Sequence, residues 1–146
     1  MNIDSIHNGY VIDHIRAGRS MEIYRYLKLD ALDCSVAIIK NAKSGRMGKK
    51  DIIKIDEEIP LNFDLLGYID PGITVNIIRG GQREEKKHLA MPERVINVLR
   101  CKNPRCITQT EQEVEQIFFL ADPEKQVYRC LYCEAAQGSM GKDVER

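Results

Sequence analysis

Four cysteines toward the C-terminal end restrict this chain more than any other feature: Cys101-x4-Cys106 and Cys130-x2-Cys133, with 23 residues between the pairs. Each pair supplies two thiolates from one tight turn, and the stretch between lets the two turns face each other, which is what tetrahedral Zn²⁺ requires. The first turn reads Cys-Lys-Asn-Pro-Arg-Cys, with Asn103-Pro104 at its bend, and the second is the compact Cys-Leu-Tyr-Cys. The alternatives are four unrelated thiols or two disulfides. Disulfides do not suit a chain of otherwise intracellular character, where thiols stay reduced, and the paired spacing favours a metal over four unrelated thiols. Four protein ligands leave no position for water or substrate, so the expected zinc is structural and not catalytic.

At 146 residues, 43% of them hydrophobic, the chain has enough apolar content for one ordinary domain or two small ones. Its 22 basic and 22 acidic residues cancel, so no global field gathers nucleic acid or an acidic membrane. The N-terminus, Met-Asn-Ile-Asp-Ser-Ile-His-Asn-Gly, lacks the basic start and apolar run of a signal peptide. The longest apolar run, Ile117 to Ala121, falls far short of the ~20 residues of a membrane span. A soluble, cytoplasmic protein is expected.

Along the chain, residues 10–15 read as a β-rich first strand after Gly9. Ser20 stands where an N-cap would, and Met21, Ile23, Tyr24 and Leu27 recur at helical spacing behind it. The continuous apolar run at 34–39 reads as a central strand, a Gly- and Lys-rich connection follows over 41–50, and 51–55 return as another strand. Pro60 suits the first turn of a second helix over Leu61 to Leu66. Asp70-Pro71-Gly72 makes a turn into a strand from Thr74, and Gly80-Gly81 a hairpin into residues 83–89. The order β-α-β-β-α-β-β predicts an α+β fold: an antiparallel sheet with two helices on one face, a ferredoxin-like sandwich. A small β-rich four-cysteine zinc domain follows it.

Pro92 marks a joint. The expected division is a first domain over 1–92, a connecting segment over 93–100, the zinc domain over 101–140, and a loose polar tail over 141–146. The zinc domain is too small to hold a core without its metal; Phe118, Phe119 and Leu120 are the residues available to fill it.

Chemistry is harder to find. The three histidines, His7, His14 and His88, come with no nucleophile elbow or metalloprotease helix, and there is no P-loop or G-x-G-x-x-G. Cys34, in an apolar strand, reads as a buried inert thiol. Asp13-His14 sets an acid beside an imidazole in an otherwise apolar strand, which is either a surface pair on an edge strand or the wall of a polar ligand pocket. Lys54, a lone cation within Ile52-Ile53-Lys54-Ile55, is either the solvent side of a strand or, with Lys86, a point charge for phosphate. Between Cys101 and Cys133 the basic residues are Lys102, Arg105, Lys125 and Arg129, against Glu111, Glu113, Glu115, Asp122 and Glu124. That slightly acidic balance argues against a nucleic-acid interface and for a protein-docking module. Two rival readings remain: a free-standing zinc-ribbon nucleic-acid binder, and an enzyme built on Cys34 or His14.

Several segments together resemble the regulatory chain of aspartate carbamoyltransferase over nearly the whole length. They are Gly9-Tyr-Val-Ile-Asp-His-Ile15, Ser44-Gly-Arg-Met-Gly-Lys-Lys-Asp-Ile-Ile-Lys-Ile55, Thr74-Val-Asn76, and Pro92-Glu-Arg-Val-Ile-Asn-Val-Leu99 running into the cysteines. The resemblance implies an allosteric nucleotide-binding and dimerisation domain over 1–92 and a zinc domain that docks on a catalytic chain. Homodimers then bridge catalytic trimers in pyrimidine biosynthesis, and the enzyme activity sits on the other polypeptide. The effectors implied are ATP and CTP; neither nucleic acid nor membrane is a partner. Residue by residue it implies a nucleotide site of Ile3, Asp4, Ile6, Asp13, His14, Lys54, Asn76 and Lys86, and a metal site of Cys101, Cys106, Cys130 and Cys133. There are departures. Asp4 stands where the family commonly has glutamate, Arg83 takes the place of an apolar contact near the base, and the tail after Cys133 is dissimilar.

Overall fold

A five-stranded antiparallel sheet makes up the first part of the computed structural model, which describes residues 6–137. Its elements are β1 (Gly9–Arg16), α1 (Ser20–Tyr26), β2 (Val36–Ser44), β3 (Gly48–Ile55), α2 (Phe63–Ile69), β4 (Thr74–Arg79) and β5 (Gln82–His88). The strands are antiparallel in the order β2-β3-β1-β4-β5, the expected ferredoxin-like arrangement with β5 added beside β4. Ile12 pairs with Ile53 on one side and Val75 on the other, and all three are fully buried, which defines the core face. Both helices meet that face: Ser20 of α1 bonds Asp51 of β3, and Phe63 of α2 lies under the Lys87 ammonium at 4.4 Å. The core between them is Ile12, Ile15, Ile23, Ile53, Ile55, Leu65, Leu66, Ile69 and Val75.

Several local expectations give way to tertiary contacts. The apolar run at 34–39 does not make a central strand. β2 begins at Val36 and lies at the sheet edge, where Val36–Ile39 are only half-buried, and Cys34 precedes it. The Gly- and Lys-rich connection is mostly strand, with only a short turn between Ser44 and Gly48. Ser20 is not the N-cap; Arg19 holds that position without a side-chain cap, because the Ser20 hydroxyl is spent on Asp51. α1 stops at Tyr26, since Lys28 turns left-handed (φ 55°) before a 3-10 turn at Leu29–Ala31. α2 starts at Phe63 and not behind Pro60, because the Asn62 side chain accepts the Leu65 N–H at 3.0 Å, a side-chain N-cap.

Strand β3 is flanked by two bulges, and two aspartates satisfy them. In β1 the register slips between Ile12 and Ile15, with His14 left-handed at φ 59°, so that both isoleucines reach the core. In β2 it slips between Ile39 and Ala42, with Asn41 at φ 60°. Asp51 is fully buried on β3 and accepts from Asn41 N–H (3.0 Å), Gly18 N–H (3.0 Å), Ser20 N–H (3.3 Å) and Ser20 O–H (2.7 Å). One carboxylate thus ties the β2 bulge, the β1–α1 turn and the start of α1 together.

The second sheet has the order β6-β7-β8-β9, from β6 (Arg94–Ile96), β7 (Ile117–Asp122), β8 (Val127–Cys130) and β9 (Ala136–Gln137). β6 falls within the segment 93–100, pairing with β7 through Val95 and Phe118. Phe118 and Tyr128 are buried, Phe119 on the opposite face of β7 is half-buried, and Leu120, on the face of Phe118 but next to the register slip before Asp122, is half-buried too. The joint at Pro92 is tight. The Tyr128 hydroxyl donates to the Pro92 C=O at 2.7 Å, and its ring meets Tyr68 of α2 edge-on with centroids 5.0 Å apart. A Cβ on Gly67 would lie 2.3 Å from the Ala90 carbonyl oxygen, so α2 approaches the joint this closely only with glycine there.

Burial raises the Asp51 pKa, but the hydrogen bonds from Ser20, Asn41 and Gly18 outweigh it and hold the carboxyl below its ordinary value. A depressed carboxyl stabilises the fold above its unfolded pKa of about 3.9, and that contribution is lost as pH falls through the folded value. Asp51→Ala strands several buried N–H groups at about 1–3 kcal/mol each, so a loss of about 3 kcal/mol or more is expected at neutral pH. Urea unfolding should show the gap between parent and variant shrinking on acidification below about pH 4. A gap independent of pH would contradict the assignment.

Candidate nucleotide face and metal centre

Two sites are built on the two sheets. On the first, direct cross-strand partners share a face, and the ladder lines up Ala37, Lys54, Val11, Asn76 and Lys86 in one row across all five strands. This row lies opposite the core face. It brings Lys54, Asn76 and Lys86, read separately from the sequence, onto one surface. Asn76 Oδ1 is buried there with no hydrogen-bond partner among the described residues, and an acceptor left so costs free energy until a donor arrives.

Asp13 and His14 sit one row along, where Asp13 pairs with Thr74 of β4. β1 is the middle strand of the sheet, so the two are not an edge pair. The bulge sets aside strict alternation: the His14 N–H donates back to Asp13 Oδ1 at 2.6 Å, and His14 Nδ1 is 2.8 Å from Thr74 Oγ1. Asp13 also forms a half-buried ion pair with Lys50 Nζ at 3.0 Å. Burial raises its pKa, and the hydrogen bonds from Lys50 and His14 more than reverse this, leaving the carboxyl below its usual range. His14 is lowered chiefly by burial, with the charges of Lys50, Arg46 and Lys86 acting the same way against the pull of Asp13. Neutral imidazole beside ionised carboxylate is therefore the resting state at neutral pH.

Lys50 and Thr74 were not singled out by sequence reasoning. Lys50 falls in the stretch that reads as a connection; only because β3 begins at Gly48 do Lys50, Ile52 and Lys54 share a face, and its partner Asp13 becomes visible only with the bulge. Ile6 is half-buried just before β1. Ile3 and Asp4 lie outside the described residues.

In the second site the cysteine sulfurs all lie within 4.8 Å of one another, with Cys101–Cys133 at 3.5 Å and Cys106–Cys130 at 3.7 Å. A disulfide needs about 2.05 Å. A tetrahedron with metal–sulfur bonds of about 2.3 Å has edges of about 3.8 Å, so the spacing fits four thiolates around one ion. Cys101, Cys106 and Cys130 are buried and Cys133 partly so. The Thr108 hydroxyl donates to Cys106 Sγ at 3.2 Å. Without a cation, burial pushes the Cys101 thiol up to about 12 and raises Cys130 as well. Against burial, hydrogen bonds from Asn103 and the Ala135 backbone bring Cys133 down to about 7. Gathering four thiolates here takes a divalent ion, and taking it up releases protons.

The environment of His14 is open to a direct check. Its imidazole should titrate below the ordinary value of about 6.5 by NMR, and Lys50→Met should move the midpoint upward by removing a nearby positive charge and freeing Asp13. A parent midpoint at or above the ordinary value, or no response to Lys50→Met, would contradict this geometry.

Comparison with known proteins matches both parts of the chain to family models. Residues 1–90 match the family model described as the aspartate carbamoyltransferase regulatory chain, allosteric domain, and residues 93–139 the one described as its metal binding domain. The aspartate carbamoyltransferase regulatory chain of Clostridium tetani is 49% identical over 135 residues, covering 92% of this chain and 94% of that relative. That of Clostridium botulinum strain Hall is 47% identical over 134 residues, 92% of each chain. That of Bifidobacterium longum is 43% identical over 134 residues, 92% of this chain and 96% of the other. With an allosteric domain on the first sheet and a metal-binding domain on the second, the chain belongs to the family of aspartate carbamoyltransferase regulatory chains.

Proposed function

We propose that this chain binds ATP and CTP on the open face of the five-stranded sheet and passes their effect to the catalytic chain of aspartate carbamoyltransferase, through a domain organised by one structural zinc ion. The chain is regulatory and not catalytic, and its partner is the catalytic chain. The observation that carries the nucleotide reading is the row Lys54–Val11–Asn76–Lys86 with the unpartnered Asn76 Oδ1 in it. A nucleotide brings N–H or O–H donors for the asparagine oxygen, which has none among the described residues, and phosphate oxygens that two ammonium groups on one face attract. Asp13, an ionised acceptor, and neutral His14 fix base and ribose beside it. Ile6, with Ile3 and Asp4 ahead of it, closes over them.

Zinc is the ion this donor set favours, because four thiolates at tetrahedral spacing are soft ligands that complete its coordination. The first domain also pairs the chain with a second copy, as a homodimer. No helix among the described residues is long and apolar enough to cross a membrane, and the reading places the complex in the cytoplasm, in pyrimidine synthesis. Regulation follows from differential affinity. A nucleotide that binds one quaternary state better than the other shifts the equilibrium by the difference, on the usual scale of ~1–3 kcal/mol. Two nucleotides sharing the phosphate contacts act in opposite directions only through their bases.

Calorimetric titration of the zinc-loaded chain with ATP and with CTP tests this. Lys86→Ala removes a charge-assisted contact of about 1.5–3 kcal/mol and should weaken both nucleotides by roughly 10–100-fold. Equal affinity of variant and parent for both would remove Lys86 from the site.

A further inference from the structure

The backbone of Cys101 is held by two side chains from outside its own knuckle. Its N–H donates to Gln116 Oε1 at 3.1 Å, and its C=O accepts from Gln109 Nε2. The other ligands differ. Cys106 N–H bonds the Asn103 C=O within the first turn (3.0 Å), and Cys130 N–H bonds the Ala135 C=O beyond the second (2.9 Å). Cys101 lies ahead of the bend and outside every strand, so no ladder or turn provides for its peptide groups. Both glutamines are themselves anchored. Gln116 exchanges main-chain and side-chain bonds with Asn97, accepting from Asn97 N–H at 2.7 Å and donating to Asn97 Oδ1 at 3.0 Å, and Asn97 is left-handed (φ 58°) at the end of β6. Gln109 closes the 3-10 turn after Cys106, its N–H on the Cys106 C=O at 2.9 Å.

We propose that Gln116 and Gln109 are positioning residues for the metal: together they fix the Cys101 peptide, and with it the direction of Cys101 Sγ toward the ion. The inference rests on the reading of the four cysteines as a metal centre. A metal–sulfur bond tolerates only about 0.2 Å, and a cysteine whose backbone floats meets that limit less often. Partners one step removed from a metal typically change its affinity by about 10–100-fold when lost. The segment between Cys106 and β7 therefore acts as a clamp on the first ligand, in addition to spacing the two knuckles.

The test uses the full chain, loaded with Zn²⁺ and checked for metal content. Gln116→Met and Gln109→Met remove the acceptor and the donor with little change of volume. Gln112→Met, on the same segment but without a bond to Cys101, is the control. Transfer of zinc to an excess of colorimetric chelator should speed up by roughly 10–100-fold in the double variant and stay at the parent rate in the control. Mass spectrometry after brief native iodoacetamide treatment should find Cys101 alkylated first. Parent-like release, or equal alkylation of all four cysteines as in general unfolding, would overturn the clamp. Gln109 is on an exposed turn, so its single variant carries the test if Gln116→Met does not fold. A parent that takes up no zinc would overturn the zinc assignment separately, and the same kinetics on Co²⁺-loaded protein would then decide the clamp.

Discussion

Four sulfur atoms held within 4.8 Å of one another are the constraint on which the C-terminal third depends. Buried thiolates at that separation repel one another, and a divalent ion at their centre is what turns repulsion into cohesion. The sheet around them is slight: β6 has three residues, β8 four and β9 two. What the ion holds reaches further than the knuckles, because β8 ends in Cys130 and carries Tyr128 two residues earlier. The Tyr128 ring packs on Tyr68 and its hydroxyl bonds the Pro92 carbonyl. The metal centre and the joint to the first domain are thus opposite ends of one short strand.

In the first domain the corresponding role falls to two aspartates at two bulges. Asp51 gathers the N–H groups that the β2 bulge and the start of α1 leave without partners, from the core side of the sheet. Asp13 does the same for the bulge in β1 from the open side, and binds Lys50 as well. Because Lys50 and Asp51 are neighbours in β3, the two carboxylates work on opposite faces of the sheet at nearly the same level. One secures packing. The other contributes to the charge environment of His14 on the open face.

Much of this was legible in the residues themselves. The cysteine spacing fixed the metal site, since two close pairs across a long loop have few other uses. β-rich composition and the glycine and turn residues between segments gave the strands β1, β3 and β4 and the sequence of elements along the chain. Such local signals failed where a side chain overrode a local preference: Ser20 capped nothing because Asp51 claimed its hydroxyl, and Asn62 in place of Pro60 set the start of α2. The apolar run at 34–39 looked central because hydrophobic content says nothing about which neighbours a strand has, and β2 lies at the edge. Lys50, Thr74, Gln109 and Gln116 escaped notice for a related reason. Each acts through a partner far away in sequence or across a bulge, and spacing alone does not reveal such pairs.

The central claim is that metal-dependent structure in the second domain joins a nucleotide-binding domain to a catalytic partner. Sedimentation velocity of the zinc-loaded chain with its cognate catalytic trimer, with and without chelator, tests it most directly. The account predicts a large complex that dissociates as zinc is withdrawn and re-forms when it is restored. No complex at micromolar concentrations with zinc present, or a complex indifferent to chelation, would contradict it.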